Sequence, residues 1–181
     1  MNRSLCRAPA AVRAVAMLAA WSLAGCATAP PGEDDWIRGR LSVRVDATAQ
    51  RDASALAAEF ELRGNDVDGE LRLTGAIGAR LAQARWSEHE ARLDAGQGEV
   101  RFADLESLSR EAFGEVLPLR ALPDWLAGRP WGRADSRRID GGFEQLGWTV
   151  SSSGPTGTRI EAVRAAPPRV VVRVVLERPR T

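Results

Sequence analysis

The chain of 181 residues has no lysine, no tyrosine, one histidine and two cysteines, and each shortage closes a route. His89 sits in the polar run Ser87, Glu88, His89, Glu90, and it reads as an exposed turn residue rather than the base of a nucleophilic triad. A zinc site would have to be completed by carboxylates alone. Cys6 and Cys26 both fall at the start of the chain, so the stretch from Ala27 onward has no thiol for a disulfide or a thiolate metal ligand. Neither G-x-x-x-x-G-K-[ST] nor G-x-G-x-x-G occurs, and Gly96-Gln97-Gly98 reads as a hairpin loop. Acids are plentiful, but they stand on the polar sides of alternating segments, where solvated surface accounts for them better than paired carboxylates for glycoside chemistry. All basic residues are arginine, a bias of composition rather than of function.

Long apolar runs are also missing. The longest, residues 14–23, spans about ten residues, half of the roughly 20 needed to cross a bilayer core. It comes after Arg3, Arg7 and Arg13 and ends at Leu23-Ala24-Gly25-Cys26, the layout of a targeting signal. The small-small-Cys ending resembles the bacterial lipobox, in which the cysteine is alkylated with diacylglycerol and becomes the first mature residue. Ala27 rather than Asp comes next, which by the same resemblance favours the outer membrane. The chain therefore divides into a signal peptide at 1–25, a Pro/Gly/acid tether from lipidated Cys26 at 26–35, and one domain at 36–181. Formal charge is +1, and removing the three leader arginines leaves −2, so no general attraction to nucleic acid is implied.

From Trp36 onward period-two alternation dominates. Leu41, Val43 and Val45 share one face of a strand, Phe60 and Leu62 another, and Leu71 and Leu73 a third, with 65–69 as a turn. Ala82, Ala84 and Trp86, then Ala91 and Leu93, then Val100 and Phe102 continue the series, which argues for an antiparallel meander. The period then changes: Leu105, Leu108, Ala112 and Phe113 predict a helix capped by Asp104, and Pro118 and Pro123 frame a short second one through Trp125 and Leu126. Strands resume after Gly141-Gly142, with Leu146, Trp148 and Val150 on one face, then 159–163 and 170–177. In that last strand Val171 and Val175 oppose Val170, Val172 and Val174, which predicts cover on both sides. Such a sheet can curl into a barrel stoppered by its helices. With no catalytic machinery, apolar volume is what the chain offers: a pocket for an apolar ligand, or faces that simply pack together. Alternation alone leaves both open.

Three segments carry a family resemblance. They are Gly39-Arg40-Leu41-Ser42-Val43-Arg44-Val45, Gly75-Ala76-Ile77-Gly78 after Glu70-Leu71-Arg72-Leu73-Thr74, and above all the L-P-L…L-x-x-W-L-x-G-x-P stretch from Leu117 to Pro130. Together with Phe60 they resemble the LolB family, from about Trp36 to Leu176. The resemblance implies a mainly β fold: an incomplete, unclosed antiparallel barrel of about eleven strands with a helical lid, enclosing an apolar cavity. It implies an outer-membrane receptor, not an enzyme and needing no cofactor. Such a receptor accepts lipidated proteins from the periplasmic carrier LolA and inserts them into the inner leaflet of the outer membrane. Its implied partners are lipid-loaded LolA, acyl chains and that leaflet, with no nucleic acid, and the protein is expected to be a monomer.

By the same resemblance Ile77, between Gly75 and Gly78, is displayed on a membrane-delivery loop, whereas the residues alone allow an Ile tucked under its hairpin. Trp125 and Leu126 are lid candidates, with ordinary core packing as the alternative. Leu41, Val43, Phe60, Leu62, Leu71, Leu73 and Trp86 are the candidates for the acyl cavity. Two departures stand out: the helix that usually precedes the first strand is short or missing at 30–38, and aromatic content is only 6%. Rival readings are a filled-core assembly lipoprotein and a lipid-modifying hydrolase, which would have to depend on His89.

Overall fold

In β1 (Ile37–Val45) Leu41, Val43 and Val45 are buried while Arg40 and Arg44 are exposed, and this two-residue period sets the plan of the whole sheet. The computed structural model describes residues 36–177. The signal peptide, Cys26, the tether and residues 30–35 of the stretch where the first helix is short or missing lie outside the described residues, and Ile37 and Arg38 of that stretch belong to β1. β2 (Ser54–Gly64), β3 (Gly69–Thr74), β4 (Arg80–Trp86), β5 (Ala91–Asp94) and β6 (Glu99–Phe102) complete a first meander. Helices α1 (Leu105–Phe113) and α2 (Leu122–Leu126) come next, and then a second meander of β7 (Ser136–Ile139), β8 (Gly142–Gln145), β9 (Trp148–Ser153), β10 (Arg159–Arg164) and β11 (Val170–Leu176).

All eleven strands form one antiparallel sheet in the order β6-β5-β4-β3-β2-β1-β11-β10-β9-β8-β7. Among the described residues only the β1·β11 pairing joins distant parts of the chain, running from Gly39 opposite Leu176 to Val45 opposite Val170. β6 and β7 are left as free edges, so the barrel is unclosed. The helices are the connection between those edges. Asp104 caps α1 by accepting a 2.7 Å hydrogen bond from the Ser107 amide, and Gly114 ends it in the left-handed region at φ 71°. The inward faces of the strands, with Leu105, Leu108, Trp125 and Leu126 from the helices, form one continuous core.

The sequence reading differs from the structure at the start of the second meander. It expects one strand after Gly141-Gly142 carrying Leu146, Trp148 and Val150 on one face. The structure has β7, β8 and β9 there, and Leu146 is a 47%-exposed turn residue. Leu146 and Gly147, at φ 53° and 77°, make the two-residue left-handed turn that the right-handed twist of a hairpin favours. β11 is covered on its outer face only in part: Val171 is buried, but Val175 is 48% exposed.

Charge pairs organise the outer face of the first meander. Glu70 on β3 is buried beneath Arg63, Arg72 and Arg85, at 2.6, 2.9 and 3.8 Å, and the Gln83 side-chain amide donates to it as well. Arg72 also approaches Glu61, and Arg85 reaches Glu99, so the pairs link neighbouring strands. The Trp36 ring lies between the Arg63 and Arg72 guanidiniums, 4.6 and 4.3 Å from its centre. Burial alone would raise the Glu70 pKa, but hydrogen bonds from Arg63, Arg72 and Gln83 outweigh it and hold the carboxyl below its ordinary range. A pKa lowered in the folded state stabilises above the unfolded value of about 4.3, and that stability is lost as pH falls through the lower folded value. Glu70→Ala is therefore expected to cost about 2 kcal/mol at neutral pH. In urea titrations the gap to the parent should narrow steadily below about pH 4; a gap independent of pH would remove the charge as its cause.

Candidate functional site

The seam between the meanders supplies a floor made only of carbon. Leu41 and Val43 on β1 lie opposite Val174 and Val172 on β11, which in turn face Ile160 and Ala162 on β10. All six border one apolar cavity. Phe60 and Leu71 extend its wall on one side, and Trp148 extends it on the other.

The roof comes from the helical connection. Pro123 stands in the first turn of α2, where its missing N–H costs nothing. The short helix turns Leu122, Trp125 and Leu126 downward, and Leu117, Pro118 and Leu119 precede it as an apolar strap. Trp125 meets Phe143 edge-on at 6.3 Å and Trp148 at 6.1 Å between ring centres.

Two polar clamps hold this roof. Buried Gln145 on β8 accepts from the Trp125 indole N–H and the Trp131 amide, each at 2.9 Å, and donates to the carbonyls of Trp131 and Ala134 at 2.7 and 2.8 Å. At the other end, Glu115 just after α1 takes the Arg164 guanidinium at 2.7 Å and that of Arg51, and Arg51 also donates to the Gly114 carbonyl. Burial raises the Glu115 pKa, but hydrogen bonds from Arg164 and Arg51 overcome this and leave it below the usual range.

Beneath the closed roof about 50 Å³ remains empty. That exceeds the roughly 10–15 Å³ needed to admit one water-sized group, and its lining is apolar. A second apolar cavity of about 190 Å³ lies under α1 against β3, β4 and β5. Leu71, Phe113 and Leu119 border both.

Of the residues named from the sequence, Leu41, Val43, Phe60 and Leu71 line the central cavity, and Leu71 and Leu73 line the second. Trp125 and Leu126 lie in the roof. Leu62 and Trp86 border neither cavity and belong to solid core. Leu62 is 1% exposed; the Trp86 ring fills the space over Gly69, where a Cβ would come within 2.1 Å of it, and its N–H donates to the Asn65 carbonyl at 3.0 Å. Ile77 is 94% exposed at the tip of a turn closed by hydrogen bonds from Gly75 N to Ala79 O and from Gly78 N to Gly75 O. Gly78 takes φ 78° there, a conformation that suits glycine. The His89 side chain is 87% exposed and lies 3.9 Å from Glu88. Sequence reasoning does not identify Leu117, Leu119, Leu122, Trp148 or the β10 and β11 residues as lining. The alternation of Val172 and Val174 is visible, but its alignment with Leu41 and Val43 depends on a pairing between opposite ends of the domain.

An antiparallel sheet, unclosed between two edges and roofed over carbon-lined space, defines the class as a half-barrel with an apolar interior. The chain matches the family described as "Outer membrane lipoprotein LolB" over residues 35–173. It is 30% identical over 191 residues to Outer-membrane lipoprotein LolB of Ralstonia nicotianae, covering 86% of this chain and 90% of that protein. To the LolB of Bordetella petrii it is 30% identical over 174 residues, covering 87% of each. A crystal structure of a LolA superfamily protein from Nitrosomonas europaea aligns over 81% of this chain and 86% of that one, at 11% identity and a TM-score of 0.40. The chain belongs to the LolB family. It is thus an outer-membrane lipoprotein of the lipoprotein localisation pathway, a transport receptor and not an enzyme.

The Gln145 clamp can be tested without touching the cavity wall. Gln145→Leu strands the Trp125 indole N–H and the Trp131 amide, and is expected to cost about 1–3 kcal/mol. Amide exchange at Ala127 and Gly128, which bond back to Pro123 and Trp125 in α2, should accelerate more than exchange in β1. Uniform acceleration would mean that Gln145 serves overall stability and not the roof in particular.

Proposed function

We propose that this protein accepts lipidated proteins from the carrier LolA, shelters their acyl chains under the α1–α2 roof, and inserts them into the inner leaflet of the outer membrane. A lipid on Cys26 would hold it there. The observation that carries the reading is a covered, carbon-lined cavity in the same domain as Ile77, a large aliphatic side chain presented to solvent at the tip of a defined turn. Exposing Ile in water is unfavourable by about 1.5–3 kcal/mol relative to burying it, so the position is suited to meeting lipid. At about 0.8 kcal/mol per CH₂, each long acyl chain left in water costs on the order of 10 kcal/mol. Cargo must therefore pass from one apolar cavity to another. Transfer follows a gradient of apolar affinity from carrier to receptor to bilayer, and needs no nucleotide or cofactor.

The test uses carrier loaded with a lipoprotein and the domain from residue 35 onward, intact or as Ile77→Glu, with and without liposomes. The intact domain should strip the carrier and deliver to liposomes. Ile77→Glu should strip it equally well and deliver at least tenfold more slowly. If the folded intact domain takes no cargo, the receptor reading fails and a filled-core assembly lipoprotein becomes the better account. If Ile77→Glu delivers normally, the turn has no part in delivery.

A further inference from the structure

Between the central cavity and the Ile77 turn lies the second apolar chamber. We propose that this chamber is the outer half of a single acyl-chain path, which leaves the central cavity past Phe113 and Leu119 over Leu71 and reaches the surface beside Leu81, at the base of the Ile77 turn. The proposal rests on the receptor function above.

Three observations carry it. The first is continuity: Leu71, Phe113 and Leu119 border both spaces, so only side chains of the roof and one strand divide them. Phe113 is the last residue of α1, next to Gly114 and Glu115, which Arg51 and Arg164 clamp.

The second is capacity. The chamber, at about 190 Å³, offers nearly four times the room of the central cavity, at about 50 Å³. The larger part of the covered apolar space therefore lies outside the central cavity, on the side of the Ile77 turn.

The third is the shape of β4 where the path ends. The pairing of β3 with β4 shifts between Leu73 and Thr74, so that Leu73 faces Ala82, Thr74 faces Arg80, and Leu81 is the extra, unpaired residue. Such a bulge re-aims a side chain. Leu81 lines the chamber, is 39% exposed, and has its Cδ2 3.3 Å from where a Cβ on Gly75 would lie. The end of the chamber and the foot of the Ile77 turn are thus in contact. The opening is rimmed by Ala95 and Ala112, both exposed and both small.

The experiment uses the full lipidated chain in proteoliposomes and carrier loaded with a tripalmitoyl lipopeptide bearing a diazirine near each acyl terminus. After illumination, adducts are mapped by mass spectrometry. Adducts are expected on Leu81, Leu93 or Ala95 as well as on residues of the seam floor. Ala112→Trp, a change at an exposed helical position outside the central cavity, should abolish the chamber adducts, keep those on the floor, and slow delivery to the bilayer at least tenfold.

Adducts confined to the floor, or delivery by Ala112→Trp at the parent rate, would overturn the path while leaving the receptor function intact. Carrier that stays loaded, with no adduct anywhere, would overturn the receptor reading and the path with it. A parallel arm places the same diazirine on vesicle phosphatidylethanolamine and omits the lipopeptide. Chamber adducts appearing only in that arm would assign the space to bilayer lipid and overturn its assignment to cargo.

Discussion

Everything in this fold depends on the pairing of β1 with β11. Each meander is a run of local hairpins that could form without the other, but neither contains a complete wall for the cavity. Leu41 and Val43 come from one meander, and Val172, Val174, Ile160 and Ala162 come from the other; the β1·β11 register sets them side by side. The same pairing sends the two outermost strands, β6 and β7, to opposite ends of the sheet. Because α1 and α2 connect those strands in sequence, the chain has to cross the open side, and topology alone produces a roof. Gly39 shows how tight the seam is: a Cβ there would come within 2.2 Å of the Val175 carbonyl and 3.0 Å of the Phe60 ring.

Much of this is legible in the sequence, for physical reasons that differ by element. The alternation in β1 to β5 is clean because one side is solvated and the other buried, and the Asp104 cap and the change of period announce α1. β7 and β8 escape because they are short and offer too few apolar inward residues to show a period: β7 is exposed except at Ile139, and Phe143 is the one buried apolar residue of β8. Gln145 is buried through hydrogen bonds and not through hydrophobicity, so it breaks the pattern, and apolar Leu146 beside it offers a false continuation. The turn at Leu146 and Gly147 lacks the Asn or Asp that usually marks such a left-handed pair. In the site, the faces of single strands are readable, but their neighbours across the seam are not. Leu62 and Trp86 have the same alternation as Phe60 and Leu71 and differ only in lying beyond the cavity's end. The bulge at Leu81 leaves no trace in composition.

The roof is polar where it is held and apolar where it faces the cavity, and the magnitudes decide what can open it. Gln145 and Glu115 hold it by a handful of hydrogen bonds, each worth about 1–3 kcal/mol when a partner is left buried and unpaired. One acyl chain transferred out of water is worth on the order of 10 kcal/mol. On the proposed function the chain arrives from the carrier's cavity and not from water, so only the difference in affinity between the two cavities is available to displace the roof, and a few hydrogen bonds are a hold weak enough for such a difference to overcome. The clamps hold the roof over a cavity of about 50 Å³. A fully closed barrel would lack this property, since opening it would break a ladder of backbone hydrogen bonds and not a few side-chain contacts.

The same scale separates the two lipid contacts assigned to this protein. A single Ile entering lipid contributes about 1.5–3 kcal/mol, far less than an acylated cysteine, so Ile77 cannot serve as an anchor. What it can do is bias orientation. On the proposed function, with a lipid on Cys26 tethering the domain beside the membrane, a preference of that size is a factor of roughly ten to a hundred in favour of poses that hold the turn against lipid. The bulge at Leu81 lies at the foot of that turn, so every such pose also brings the end of the second chamber to the bilayer surface. A stronger contact would fix the tethered domain in one pose against the bilayer and keep its opening from the carrier; a weaker one would leave the opening randomly oriented. One exposed aliphatic side chain on a short glycine-bounded turn sits between those limits.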